Sequence, residues 1–118
     1  MIINKKNFLK TVRIELGVEL GGESPSDAYL ILREPTTLEW AEIQDVANAS
    51  PQHEVIKHLQ GLFGKLIIEH NVYADEKTLY KPDELIDLLF GKVEVAMKII
   101  NDYIGAVRSP LAKQSDSK

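Results

Sequence analysis

The sequence predicts an α+β fold, mostly helical, with an N-terminal β-hairpin followed by three helices, the last one long. Three observations carry this. Apolar and polar residues alternate from Val12 to Leu20, the mark of a strand with one buried face. From Thr37 onward apolar residues recur at helical spacings instead. The final stretch keeps one helical phase from Ile86 to Val107.

In the first strand Val12, Ile14, Leu16, Val18 and Leu20 are apolar, and Arg13, Glu15, Gly17 and Glu19 lie between them. Residues 21–27, Gly-Gly-Glu-Ser-Pro-Ser-Asp, are turn chemistry. Ala28 to Arg33 forms the second strand, which places a hairpin over 11–33. Pro35 ends it. Thr36, Thr37, Leu38 and Glu39 make a capping box, in which a threonine hydroxyl and Glu39 satisfy the first free N–H groups of a helix. That helix spans about 37–48, with Trp40, Ile43 and Ala47 on one face. Ser50 as N-cap and Pro51 at the first helical position open the second helix, about 51–69. There Val55, Ile56, Leu59, Leu62, Phe63, Leu66 and Ile67 fill one side. Residues 71–81 read as a loop pinned by Val72, Tyr73, Leu79 and Tyr80. Pro82 starts the last helix, about 82–108, and Pro110 stops it. Residues 1–108 form a single domain, and 109–118 have the composition of a flexible tail.

Composition narrows the function classes. The chain has 118 residues, no cysteine and a net charge of −4. That length supplies an adequate core without a staple, and no disulfide or thiolate metal site is possible. No apolar run approaches the ~20 residues needed to cross a bilayer, and no apolar segment follows the N-terminal lysines as in a signal peptide. The expectation is a cytoplasmic protein that binds neither membrane nor, given its acidity, nucleic acid. The charge is uneven. Lys5, Lys6 and Lys10 give residues 1–10 a charge of +3. Residues 34–54 hold Glu34, Glu39, Glu42, Asp45 and Glu54 and no Lys or Arg, a charge of −5.

Catalytic and metal chemistry find little support. His53 and His58 are five residues apart, about 140° around a helix, so they cannot share a metal as an i, i+4 pair does. His70 falls near the predicted end of the second helix, where an imidazole suits the dipole; all three read as ordinary surface histidines. Asp83, Glu84 and Asp87 complement the start of the last helix. No phosphate-binding glycine loop and no nucleophile motif is present. No enzyme activity, cofactor or metal is expected.

Two features point to protein binding. Glu39, Glu42 and Asp45 read either as a solvated face or as an acidic docking surface for a basic partner. Ile86, Phe90, Val93, Met97, Ile100, Ile104 and Val107 follow spacings of 4, 3, 4, 3, 4, 3, a heptad seam. A helix over 82–108 is roughly 40 Å long, more than a small domain covers. The seam is thus either core throughout or, from Phe90 onward, partly covered by a client or another copy.

The stretch from Val12 to Leu16, and then Tyr29-Leu30-Ile31-Leu32-Arg33-Glu34-Pro35-Thr36-Thr37-Leu38-Glu39-Trp40-Ala41-Glu42-Ile43, resembles the tail assembly chaperones of long-tailed bacteriophages and prophages. Those are small acidic proteins in which a hairpin ends on a basic residue and leads through proline into a capped helix. The resemblance covers about residues 8–48. It implies a non-enzymatic protein of the bacterial host cytoplasm that coats the helical tape measure protein, or another tail protein, and keeps it soluble during tail assembly. It also implies that a frameshifted longer product can exist, and it brings no catalytic residues. Other readings of the same residues are a structural virion component such as a head–tail connector, or a cellular adaptor or regulator. Self-association into a homo-oligomer is compatible with each.

Overall fold

The computed structural model describes residues 1–4 and 8–116, with 108–116 as backbone. The predicted hairpin is present. β1 (Thr11–Glu15) and β2 (Tyr29–Arg33) pair antiparallel, with Val12 opposite Leu32 and Ile14 opposite Leu30. Ile14, Leu30 and Leu32 are buried on one face, as the alternation requires.

The first strand ends earlier than expected. Alternation continues to Leu20, but Leu20 N–H bonds back to Leu16 O, and Gly22 N–H to Gly17 O. The chain folds over itself and leaves Val18 and Leu20 exposed. Glycine permits this. A side chain at Gly17 would run into the Ser24 carbonyl, and Gly21 adopts a φ of 91°, a region that disfavours other residues. A short 3-10 turn, Pro25–Asp27, leads back into the sheet.

Four α-helices follow, where three were predicted. α1 (Thr37–Ala49) begins with the predicted capping box: Glu39 N–H donates to Thr36 Oγ1 at 3.2 Å, and Thr36 N–H to Glu39 Oε1 at 2.9 Å. Ser50 serves the end of α1 rather than the start of the next helix, since its N–H bonds to Val46 O. Pro51 takes the N-cap position of α2 (Gln52–Leu66).

The helix predicted over 51–69 stops at Leu66. Ile67–His70 instead forms β3, antiparallel to β2, giving the sheet order β1-β2-β3. The β-branched pair Ile67-Ile68 suits a strand, and β2 offers an edge that would otherwise be unpaired. A register shift beside Leu32 leaves Ile68 without a partner and exposed, as at a bulge. His70 is consequently buried, not at the surface of a helix end. Its Nδ1 accepts from Val72 N–H at 3.1 Å, so Nε2 carries the proton that it donates to Tyr80 O at 2.8 Å.

Residues 71–81 make a small hairpin. Tyr73 bridges Leu79, and Tyr80 N–H bonds to Val72 O. Val72 and Tyr80 pack on the core as expected, whereas Tyr73 and Leu79 stay exposed.

The predicted helix 82–108 is broken. α3 (Pro82–Leu89) ends with Phe90 as C-cap, and α4 (Val93–Asp116) starts after a turn in which Gly91 N–H bonds to Leu88 O. The apolar spacing in the sequence runs on across the break, which is why the pattern reads as one helix. α4 also continues through Pro110 to Asp116, past the expected stop at Pro110; 117–118 lie outside the described residues.

The core lies between the sheet and the helices. Phe63 is its centre: its ring meets Tyr103 edge-on at 5.1 Å and Phe90 at 5.9 Å. Among the described side chains of α4, Val95, Ala96, Ile99 and Tyr103 are buried. That stripe is neighbour to the predicted seam, not the seam itself.

Candidate protein-binding groove

The predicted interaction residues divide into three groups. Phe90 packs against Phe63, and Met97 and Val107 are half-buried on α4. Val93 is 76% exposed at the start of α4. Ile100 and Ile104 open onto a cavity shared with apolar residues of α1 and α2.

That cavity is a groove of about 510 Å3 between α1, α2 and α4. Trp40, Ile43 and Ala47 form one wall, Val55 and Leu59 the floor, and Ile100 and Ile104 the other wall; Gln44 and Asn48 edge it. The period of α1 creates the first wall. Trp40, Ile43, Gln44, Ala47 and Asn48 fall on one side of the helix at about 100° per residue. Trp40 and Ile100 are only half-buried, so the groove keeps apolar surface in contact with solvent. The i, i+3, i+7 spacing of Trp40, Ile43 and Ala47 marks this face of α1 in the sequence. Its meeting with Ile100 and Ile104 depends on packing across more than fifty residues of chain.

The acidic residues do not line the groove. Glu42 and Asp45 are exposed and lie about 200° and 140° around α1 from Trp40. Glu39 is engaged internally. Arg33 grips it with two hydrogen bonds, Nη1 to Oε1 at 2.7 Å and Nη2 to Oε2 at 2.9 Å. The guanidinium, helped by Thr36, holds the Glu39 carboxyl down to about 2. Glu39 therefore ties the start of α1 to the end of β2.

Among the histidines, His58 leaves Nε2 buried without a hydrogen-bond partner among the described residues. No cluster of three or more His, Cys, Asp or Glu that could hold a metal occurs among the described residues. No described helix is long and apolar enough to cross a membrane.

Comparisons with protein-family models, with curated proteins and with solved structures return no match.

Proposed function

We propose that this chain is a non-enzymatic tail assembly chaperone, which binds and solubilises the tape measure protein while a phage tail is built. The observation that supports this reading best is the half-open groove walled by Trp40, Ile43, Ile100 and Ile104. An amphipathic helix presents apolar anchors at i, i+3 or i+4 and i+7, and a groove between helices is a common receiver for them. A tape measure protein offers many such segments. The acidic outer face of α1, with Glu42 and Asp45, would then meet basic residues flanking the client's apolar stripe.

Co-expression tests the reading. The gene should lie between that of a tail-tube protein and that of a very long, helix-rich protein, and co-expression with the latter should move it into the soluble fraction. The double variant Ile100→Glu, Ile104→Glu should leave the client insoluble while its own circular dichroism stays helical. A gene neighbourhood without a tape measure protein, or a client equally soluble alone, would sink the proposal. Retention of the chain in finished particles would instead make it a structural virion component.

A further inference from the structure

A second surface, separate from the groove, has backbone groups to offer. β1 is an outer strand of the sheet, with β2 on one side only. The bonds flanking it fix its ladder: Glu34 N–H donates to Lys10 O, and Leu16 N–H to Ala28 O, both at 2.8 Å. In an antiparallel pair, bonded positions recur at every second residue. Val12 and Ile14 therefore bond β2, and Thr11, Arg13 and Glu15 direct their N–H and C=O groups to the free edge. Among the described residues these groups have no further backbone partner.

Two cavities border this edge, both walled by α4. One of about 310 Å3 includes Thr11, Val12, Arg13 and Val107; the other, about 280 Å3, includes Arg13, Glu15, Lys98 and Asp102. Arg13 belongs to both, so they form a trough along the strand.

We propose that the trough receives an extended segment of a partner protein as a fourth, antiparallel strand, with a basic residue opposite Glu15 and an acidic residue opposite Arg13. Charge selects this occupant. Arg13 and Glu15 face solvent, joined to each other by a long 3.4 Å Nε–Oε2 contact, with Arg13 over the Tyr29 ring at 4.2 Å. An opposite charge directly across from each must therefore replace that pairing. Edge charges discourage indiscriminate pairing, and are matched only by opposite charges directly across the strands. In antiparallel order the partner reads basic, apolar, acidic from N to C, its apolar residue beside Ile14 and α4. β1 itself carries Arg13-Ile14-Glu15, but a second copy does not fit. α4 packs on β1. A two-fold axis joining two β1 edges about 4.8 Å apart would crowd two α4 helices that need 8–10 Å.

The test uses the whole chain and a synthetic heptapeptide of sequence TVKVEVT, with amide hydrogen exchange read by NMR. The peptide should slow exchange at Thr11, Arg13 and Glu15, amides open in the free protein, and change Val12 and Ile14 little. Swapping the peptide's Lys and Glu should weaken binding about threefold or more. Arg13→Pro removes an outward N–H while sparing the β2 ladder, a place where edge strands tolerate proline; it should weaken binding about tenfold. Unchanged exchange at the three amides, or equal binding of both peptides, overturns the proposal. So does concentration-dependent protection of the same amides without peptide, which would mean that a second copy covers the edge. The exchange measurement needs no variant, so it decides the matter even where Arg13→Pro fails to fold.

Discussion

The Tyr103 hydroxyl donates a 2.8 Å hydrogen bond to the backbone carbonyl of Arg33, 70 residues earlier in the chain. The Arg33 side chain leaves in another direction and holds Glu39. One residue at the end of β2 thus ties together the sheet, the start of α1 and the middle of α4. Burial pushes the Tyr103 phenol up from its ordinary value, so it stays a donor across the physiological range. Tyr103→Phe keeps the ring contact with Phe63 and removes only this bond. The expected cost is about 1 kcal/mol, read from urea denaturation. Tyr103→Ala also opens a cavity beside Phe63 and should cost about 3–5 kcal/mol.

The Arg33–Glu39 pair gives stability a defined acid dependence. The folded carboxyl is depressed, from 4.5 to about 2, so its contribution is complete above the unfolded value. It is lost as the pH falls from about 4.5 to about 2 and the folded form takes up its proton. Both groups retain some solvent contact, so the loss is about 1–2 kcal/mol. Glu39→Gln preserves an acceptor for the capping box but removes the charge. Urea midpoints for wild type and variant should differ at pH 7 and converge near pH 2. Parallel midpoints across that range would show that the ion pair contributes nothing.

His70 controls the hairpin that follows β3. Its two ring nitrogens bond Val72 N–H and Tyr80 O, the two positions where residues 71–81 close on themselves. His70→Ala should leave both backbone groups unpaired in a partly buried place, at a cost of about 2–3 kcal/mol. Amide exchange at Val72 and Tyr80 should accelerate more than exchange in α2. Uniform acceleration would point to a global effect instead.

Which parts of the fold were legible in the sequence follows from where their causes lie. The hairpin pairing and the capping box at Thr36 and Glu39 were legible because each is decided within a few residues. β3 was not. Ile67 continues the apolar stripe of α2, and only the need of β2 for a second neighbour makes residues 67–70 extended. His70 looked like a surface residue for the same reason. The groove was legible in halves: Trp40, Ile43 and Ala47 as one apolar face, and Ile100 and Ile104 as part of another. Their juxtaposition is tertiary. The pairing of Glu39 was not legible in the charge run 34–54, since its partner, Arg33, lies just outside the run.

The phase of α4 can be tested at two adjacent positions. The heptad pattern assigns Ile100 to the seam, yet Ile99 is fully buried and Ile100 only half-buried. The difference arises at the break. α3 buries Leu85, Ile86 and Leu89, and the turn at Phe90 to Lys92 lets α4 bring Val95, Ile99 and Tyr103 inward instead. Ile99→Glu should therefore place a charge among fully buried neighbours and unfold the chain or cost several kcal/mol. Ile100→Glu turns its carboxylate into the open groove and should cost about 1–2 kcal/mol. Thermal melts followed by circular dichroism distinguish them: a cooperative transition retained for Ile100→Glu and lost for Ile99→Glu. The reverse order would restore the unbroken seam and remove the groove as a surface open to a partner.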